Sequence, residues 1–280
     1  MTDSVPGAPW LRRLTHRPAP SGQLIVVPHA GGAPSSFRRW GDLLGGAVGL
    51  WAVELPGRES RLAEQPMKDL EMIADAVSEA VREAVPAPYV ILGHSMGALI
   101  AYEVAQRLRS VHPPRRLFVS GCSAPHLVRH RDTKHASDTE FVELLRALKG
   151  TPGEVLQNQE LMALLLPTIR ADFEAVDSYR CADRRALDIP LTALTGSEDP
   201  GVGPGDIDGW AVHSTYALNS SVLAGDHFFL DTAFPEVVRL VLAAFDPSAH
   251  GGASSRPRSG RQLSTGERGR SGGGGYAEGV

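Results

Sequence analysis

Residues Gly93-His94-Ser95-Met96-Gly97 stand where an apolar run beginning at Tyr89 gives way to a run of helical character that reaches Leu108. A strand-to-helix reversal tight enough to push one side chain outward strains that residue's backbone, and the residues two positions to either side must be small. Gly93 and Gly97 meet that demand. The pattern G-x-S-x-G in this setting is a nucleophile elbow, which raises a serine oxygen at the top of a sheet with a helix N-terminus behind it. The competing reading, a merely structural glycine-rich turn, has no need of the strand before it and the helix after it. Ser95 is therefore the candidate nucleophile, and the N–H of the following residue, Met96, is a candidate donor to a developing oxyanion.

The surrounding sequence supplies the architecture such an elbow needs. Between Leu24 and Leu108, "LIVVPHA", "LWAVELPG" and "YVILGHS" alternate with helical patterns, as in a parallel sheet covered on both faces. From Asp69 to Val85, Leu70, Ile73, Ala74, Val77, Ala80, Val81 and Ala84 recur at steps of three and four and mark one buried helical face, before Pro86 and Pro88 stop the helix. "RRLFVSGC" and "LTALTG" continue the sheet, and "STYALNSSVLAGDH" holds a weaker last strand. A chain of 280 residues fits one main domain of this class.

Between Pro125 and Leu187 two helical patterns follow one another with no strand between them. Ser137 and Glu140 form a capping box for a helix carrying Phe141, Leu144, Leu145 and Leu148 and ending at Gly150. The second pattern, about Glu160 to Tyr179, contains Pro167, which is expected to kink or divide it. A lid and a pair of ordinary packing helices are both open readings. The expected organisation is an N-terminal extension over 1–22, a domain over 23–246 with the insertion at about 125–187, and a tail over 247–280. That tail, with ten glycines after His250 and few large apolar side chains, is expected to be disordered because it cannot offset its ordering entropy.

A formal charge of −4 gives no basic field for nucleic acid or anionic membrane. Cys122 and Cys181 make no disulfide framework, no apolar signal core precedes the domain, and no stretch approaches a bilayer span. A cytoplasmic protein is expected, with no nucleic-acid or membrane partner. There is no phosphate-binding glycine motif and no Cys or His cluster at metal-ligand spacing, so neither cofactor nor metal is expected.

A serine hydroxyl needs a base, and that base needs an orienting acid. In a sheet of this kind they follow in the order Ser, acid, His. Asp199 follows "LTALTGSE" at the end of a β-like run, with Glu198 and Asp206 as rivals. His227 follows the last β-like run in "LAGDHFFL", with His213, read as a helix or surface residue, and Asp226 as alternatives. The glycines of "PHAGGAPSSF" let backbone approach a ligand, which makes the N–H of Ala30 the second oxyanion candidate. His29 is read as shaping that loop, His94 as packing beside the nucleophile, and Cys122 as a small core residue. Cys181 is unassigned.

With "VVPHAGGAPSSFRRW", "VELPGRESRLAEQP", "LGHSMGALIAYEVAQRL", "LFVSGCSAP", "LPTIRADFEAVDSYR", "LTALTGSEDP" and "AGDHFFL" in order over about Pro28 to Leu230, the chain resembles the type II thioesterases. These are the discrete thioesterases that accompany polyketide synthases and nonribosomal peptide synthetases in antibiotic biosynthesis. The resemblance implies an α/β-hydrolase fold, a mainly parallel sheet flanked by helices with a helical lid insertion. It implies hydrolysis of stalled or misprimed acyl groups from the phosphopantetheine arm of acyl or peptidyl carrier proteins. It also implies Ser95 as nucleophile, Asp199 as acid, His227 as base, and Ala30 and Met96 as oxyanion donors. A monomer is expected. Cys122 and Ser123 stand where the family often has arginines, and the Gly/Arg-rich tail has no counterpart in it. The rival readings are a carrier-independent esterase or acyl-CoA hydrolase, and a noncatalytic binding protein of the same fold.

Overall fold

The computed structural model describes residues 9–16, 19–148, 157–182 and 185–246. Their strands are β1 (Leu11–Arg13), β2 (Gly22–Val27), β3 (Val48–Val53), β4 (Tyr89–His94), β5 (Arg116–Ser120), β6 (Leu191–Gly196) and β7 (Asn219–Leu223). They form one sheet in the order β1-β3-β2-β4-β5-β6-β7, with β1 antiparallel to β3 and every other pairing parallel. The helices are α1 (Trp40–Leu43), α2 (Leu70–Ala84), α3 (Met96–Leu108), α4 (Asp138–Leu148), α5 (Gln159–Ser178), α6 (Pro204–Asp208) and α7 (Phe234–Ala243).

The inner strands read as continuous apolar runs because both of their faces are covered. Alternate residues of β2 face opposite ways. Ile25 and Val27 join the cluster built with α2 and α3, and Leu24 and Val26 join the one built with Trp40 and α7. Each such Val, Leu or Ile contributes roughly 1.5–3 kcal/mol by leaving water. At the far edge β7 is mostly exposed, which explains its weak apolar signal.

Three elements differ from the sequence reading. Residues 11–13, inside the expected extension, form edge strand β1. Only Leu11 is fully buried there, and Arg12 pairs with the buried carboxylate of Glu54, so so short a strand shows no apolar alternation. Pro167 does not divide the second insertion helix, which runs unbroken through it. The missing N–H costs a hydrogen bond, but tertiary contacts hold the helix on both sides of it. Before Pro167, Met162 packs with Phe141 and Leu145 in a small separate cluster, to which Ile169 also belongs; after it, Ala175 and Tyr179 enter the main core. His213, read as a helix or surface residue, is buried in a 3-10 turn. The expected end of α4 at Gly150 and the expected tail lie outside the described residues.

Candidate active site

Strand order reverses between β2 and β4, the switch point where open α/β sheets build ligand clefts beyond the carboxyl ends of their strands. Ser95 follows β4 there, with φ 53° and ψ −118°. A methyl group at Gly93 would stand 2.0 Å from the carbonyl oxygen of Gly97, and one at Gly97 would stand 2.2 Å from the carbonyl oxygen of Val27. The two glycines thus let the elbow close on itself and press it against the end of β2.

Asp199 follows β6 and His227 follows β7. His227 Nδ1 lies 2.7 Å from Asp199 Oδ2, and its Nε2 lies 3.1 Å from Ser95 Oγ. An ionised carboxylate only accepts, so Nδ1 carries the proton and Nε2 is left to accept from the serine hydroxyl. The Asp199 side chain is fully buried, and its other oxygen accepts from the N–H groups of Gly201 and Val202 at 2.9 and 3.1 Å. The rival acids are occupied elsewhere: Asp206 accepts from Gly203 N–H, and Glu198 is exposed.

Ser95 and His227 border a cavity of about 460 Å³, which Ala30 and Met96 also line, together with Leu99, Phe173, Val176 and Val202. Ser95 N–H is bound to Ser120 O, so Met96 offers the first N–H of α3. Cys122, read as a core residue, forms part of this wall, partly buried, with its thiol pKa pushed up to about 12 by burial and by the charge of Asp199. Two larger hollows, about 570 and 670 Å³, open at the opposite ends of the strands, and neither is lined by a histidine or a cysteine.

Two further histidines adjoin the pair, and a third, His213, is buried among other partners. His94 is buried behind Ser95, its Nδ1 3.0 Å from Ser120 Oγ and its ring 5.2 Å from that of His227. His29 meets Phe228 edge-on at 4.9 Å. Burial first, then the proximity of His227 and of Arg58, holds His29 down to about 4, and burial, then the proximity of His227 and His29, holds His94 well below the ordinary imidazole range. His213 contacts Tyr102 Oη and His126 Nδ1, and burial, then His126, lowers it to about 4.

One feature had no signal in the sequence reading. The buried guanidinium of Arg58, after β3, makes a two-pronged pair with the buried carboxylate of Asp172 in α5, at 2.8 and 2.9 Å. Both residues sit inside quoted motifs, but 114 positions separate them.

A mainly parallel sheet that carries a serine on a positive-φ turn, with an imidazole and a carboxylate on later loops, defines an α/β-hydrolase. The comparison with known proteins narrows this class. The chain belongs to the thioesterase domain family, which matches residues 22–245, and it is a thioester hydrolase. It is 36% identical over 244 residues to the gramicidin S biosynthesis protein GrsT of Aneurinibacillus migulanus, covering 84% of this chain and 95% of that one. Among solved structures, the type II thioesterase BorB from the borrelidin biosynthetic cluster superposes with a TM-score of 0.79 at 34% identity, over 85% of this chain and 98% of that one. The thioesterase RedJ from the prodiginine pathway of Streptomyces coelicolor does so at 0.76 and 38% identity, over 81% and 86%.

Proposed function

We propose that the chain is an editing thioesterase that uses Ser95, His227 and Asp199 to clear stalled acyl groups from the phosphopantetheine arm of carrier proteins in a polyketide or nonribosomal peptide assembly line. The observation that carries this reading is the Ser95–His227–Asp199 chain of contacts at the wall of an acyl-sized cavity, in a chain whose relatives serve such pathways. Ser95 Oγ attacks the thioester carbonyl as its proton passes to His227 Nε2, while Asp199 holds the imidazole by Nδ1 and stabilises its charged form. The N–H groups of Met96 and Ala30 receive the oxyanion. Collapse breaks the C–S bond, and the thiol leaves with the proton from Nε2. Water, deprotonated by the same nitrogen, then attacks the acyl-serine and releases the free acid.

The insertion is proposed to act as the lid of the acyl chamber. A cytoplasmic location accords with the two free cysteines, and no helix among the described residues is long and apolar enough to cross a membrane. Hydrolysis of an acyl-carrier thioester by Ser95→Ala should fall to background. Undiminished turnover would remove Ser95 from the mechanism. Equal kcat/KM on one acyl group carried by CoA and by a carrier protein would make the enzyme carrier-independent.

A further inference from the structure

We infer that Arg58 and Asp172 are positioning residues for the oxyanion loop, and that through them the insertion helix α5 sets the direction of the Ala30 N–H. The inference rests on the proposed role of Ala30 and goes beyond it by saying what holds that group in place.

The loop after β2 is fixed peptide by peptide. The carbonyl of His29 accepts from Gly32 N–H at 2.9 Å. In a trans peptide the C=O and the N–H point in opposite directions, so anchoring the His29 oxygen turns the Ala30 N–H the other way. The next N–H, that of Gly31, donates to Asp172 Oδ2 at 2.7 Å. The carbonyl of Gly32 accepts from Arg58 Nη1 at 3.1 Å. Asp172 and Arg58 therefore grip the loop immediately after Ala30, from two directions, and each neutralises the other. Gly31 has φ +76°, and a methyl group there would meet Ile169 of the same helix at 2.9 Å, so α5 seats closely on the loop. Thr168 Oγ1 adds a bond to Gly57 O at 2.9 Å, beside Arg58.

A buried ion pair is weak evidence of a stabilising role, because well-packed apolar residues of similar volume often serve stability as well or better. What apolar residues cannot supply is an acceptor for Gly31 N–H and a donor to Gly32 O. Oxyanion donors act by being oriented before charge develops, and loss of one costs on the order of a hundredfold in kcat. A misdirected Ala30 N–H should cost some fraction of that.

The test compares Asp172→Asn with the paired replacement Arg58→Met/Asp172→Leu, using one acyl-carrier thioester. A boronic acid that forms a tetrahedral adduct on Ser95 serves as the transition-state probe. Asp172→Asn is expected to lower kcat by about tenfold or more, with little change in KM, and to weaken boronate binding by a similar factor. The paired variant removes the buried charges together. It is expected to recover melting temperature relative to Asp172→Asn while kcat stays low. Recovery of kcat along with stability in the paired variant would reduce Arg58 and Asp172 to packing and overturn the inference. So would a loss confined to KM in Asp172→Asn with unchanged boronate affinity, and this comparison stands even where the paired variant does not fold. Ser95→Ala, assayed alongside, tests the underlying thioesterase reading separately.

Discussion

At Ser95, backbone strain and proposed chemistry coincide. Holding a non-glycine residue at φ 53° costs on the order of 1–3 kcal/mol, and the elbow persists because its surroundings leave no other arrangement. Gly97→Ala tests this. Its new methyl group would collide with the carbonyls of Val27 and Pro28, at 2.2 and 2.5 Å, where β2 runs into the oxyanion loop. A displacement there of about 1 Å corresponds to roughly a hundredfold loss of rate, so kcat should fall by that order and the melting temperature should drop as well. The buried histidines give a second prediction. In the folded chain His29 and His213 titrate near 4 and His94 well below 6.5, whereas unfolded imidazoles titrate near 6.5. Between those values the unfolded state binds more protons, so stability is complete above about 6.5 and declines as pH falls toward 4. Asp231, whose carboxyl is raised by burial, acts in the opposite direction. His213→Gln should flatten the dependence of unfolding free energy on pH in that window by about one proton, as read from denaturant titrations. Ser95, Asp199 and His227 were legible in the sequence because each follows a strand-like run in the order this architecture requires, although the run before His227 is only weakly apolar. Arg58 and Asp172 were not, because the pairing of two charges between distant segments leaves no local pattern.

Among the elements, α5 is the most informative. Sequence reading located it to within a residue or two but expected Pro167 to break it, since local propensity carries no information about what the two halves touch. After Pro167 the helix is fixed to the domain by Thr168, Asp172, Ala175 and Tyr179, whose hydroxyl donates to the buried Glu103 at 2.9 Å. Before it, Met162 packs against α4 in a cluster apart from the main core. α4 is also held by the second half of α5, through Arg170 with Asp138 and Phe173 edge-on to Phe141, so an opening of the insertion as a lid with its joint at Pro167, which lacks an N–H to hold the ladder, must break those contacts as it lifts α4 and the first two turns of α5. Amide hydrogen exchange should therefore be faster over 138–148 and 159–166 than over 168–178. Uniform protection along α5 would place the joint elsewhere. Edge strands β1 and β7 were the least legible elements: each has water on one side, so the apolar runs that betray β2 to β6 are absent from them.

Over the whole molecule the formal charge is −4, yet the rim of the acyl cavity carries Arg129 and Arg131. Arg129 is 84% exposed, with Asp206 no nearer than 3.9 Å, and the backbone beside Arg131 is fixed by Asp177, which accepts from the N–H groups of Arg131 and Thr133 at 2.7 and 2.8 Å. Asp177 lines the same cavity, but its carboxylate is taken up by the N–H groups of Arg131 and Thr133 and the Thr133 hydroxyl, which leaves the two guanidinium groups at the mouth to attract an anionic substrate arm. A phosphopantetheine arm carries a phosphodiester, and an N-acetylcysteamine thioester with the same acyl group does not. Arg129→Ala/Arg131→Ala should therefore lower kcat/KM for the carrier-linked substrate more than for the truncated thioester, mainly through KM. The ratio of wild-type kcat/KM for the carrier-linked substrate to that for the truncated one should also fall as salt rises, because exposed charges are screened over about 8–10 Å at physiological ionic strength. A preference that survives both the double variant and high salt would mean that carrier selection lies in surface contacts away from this rim.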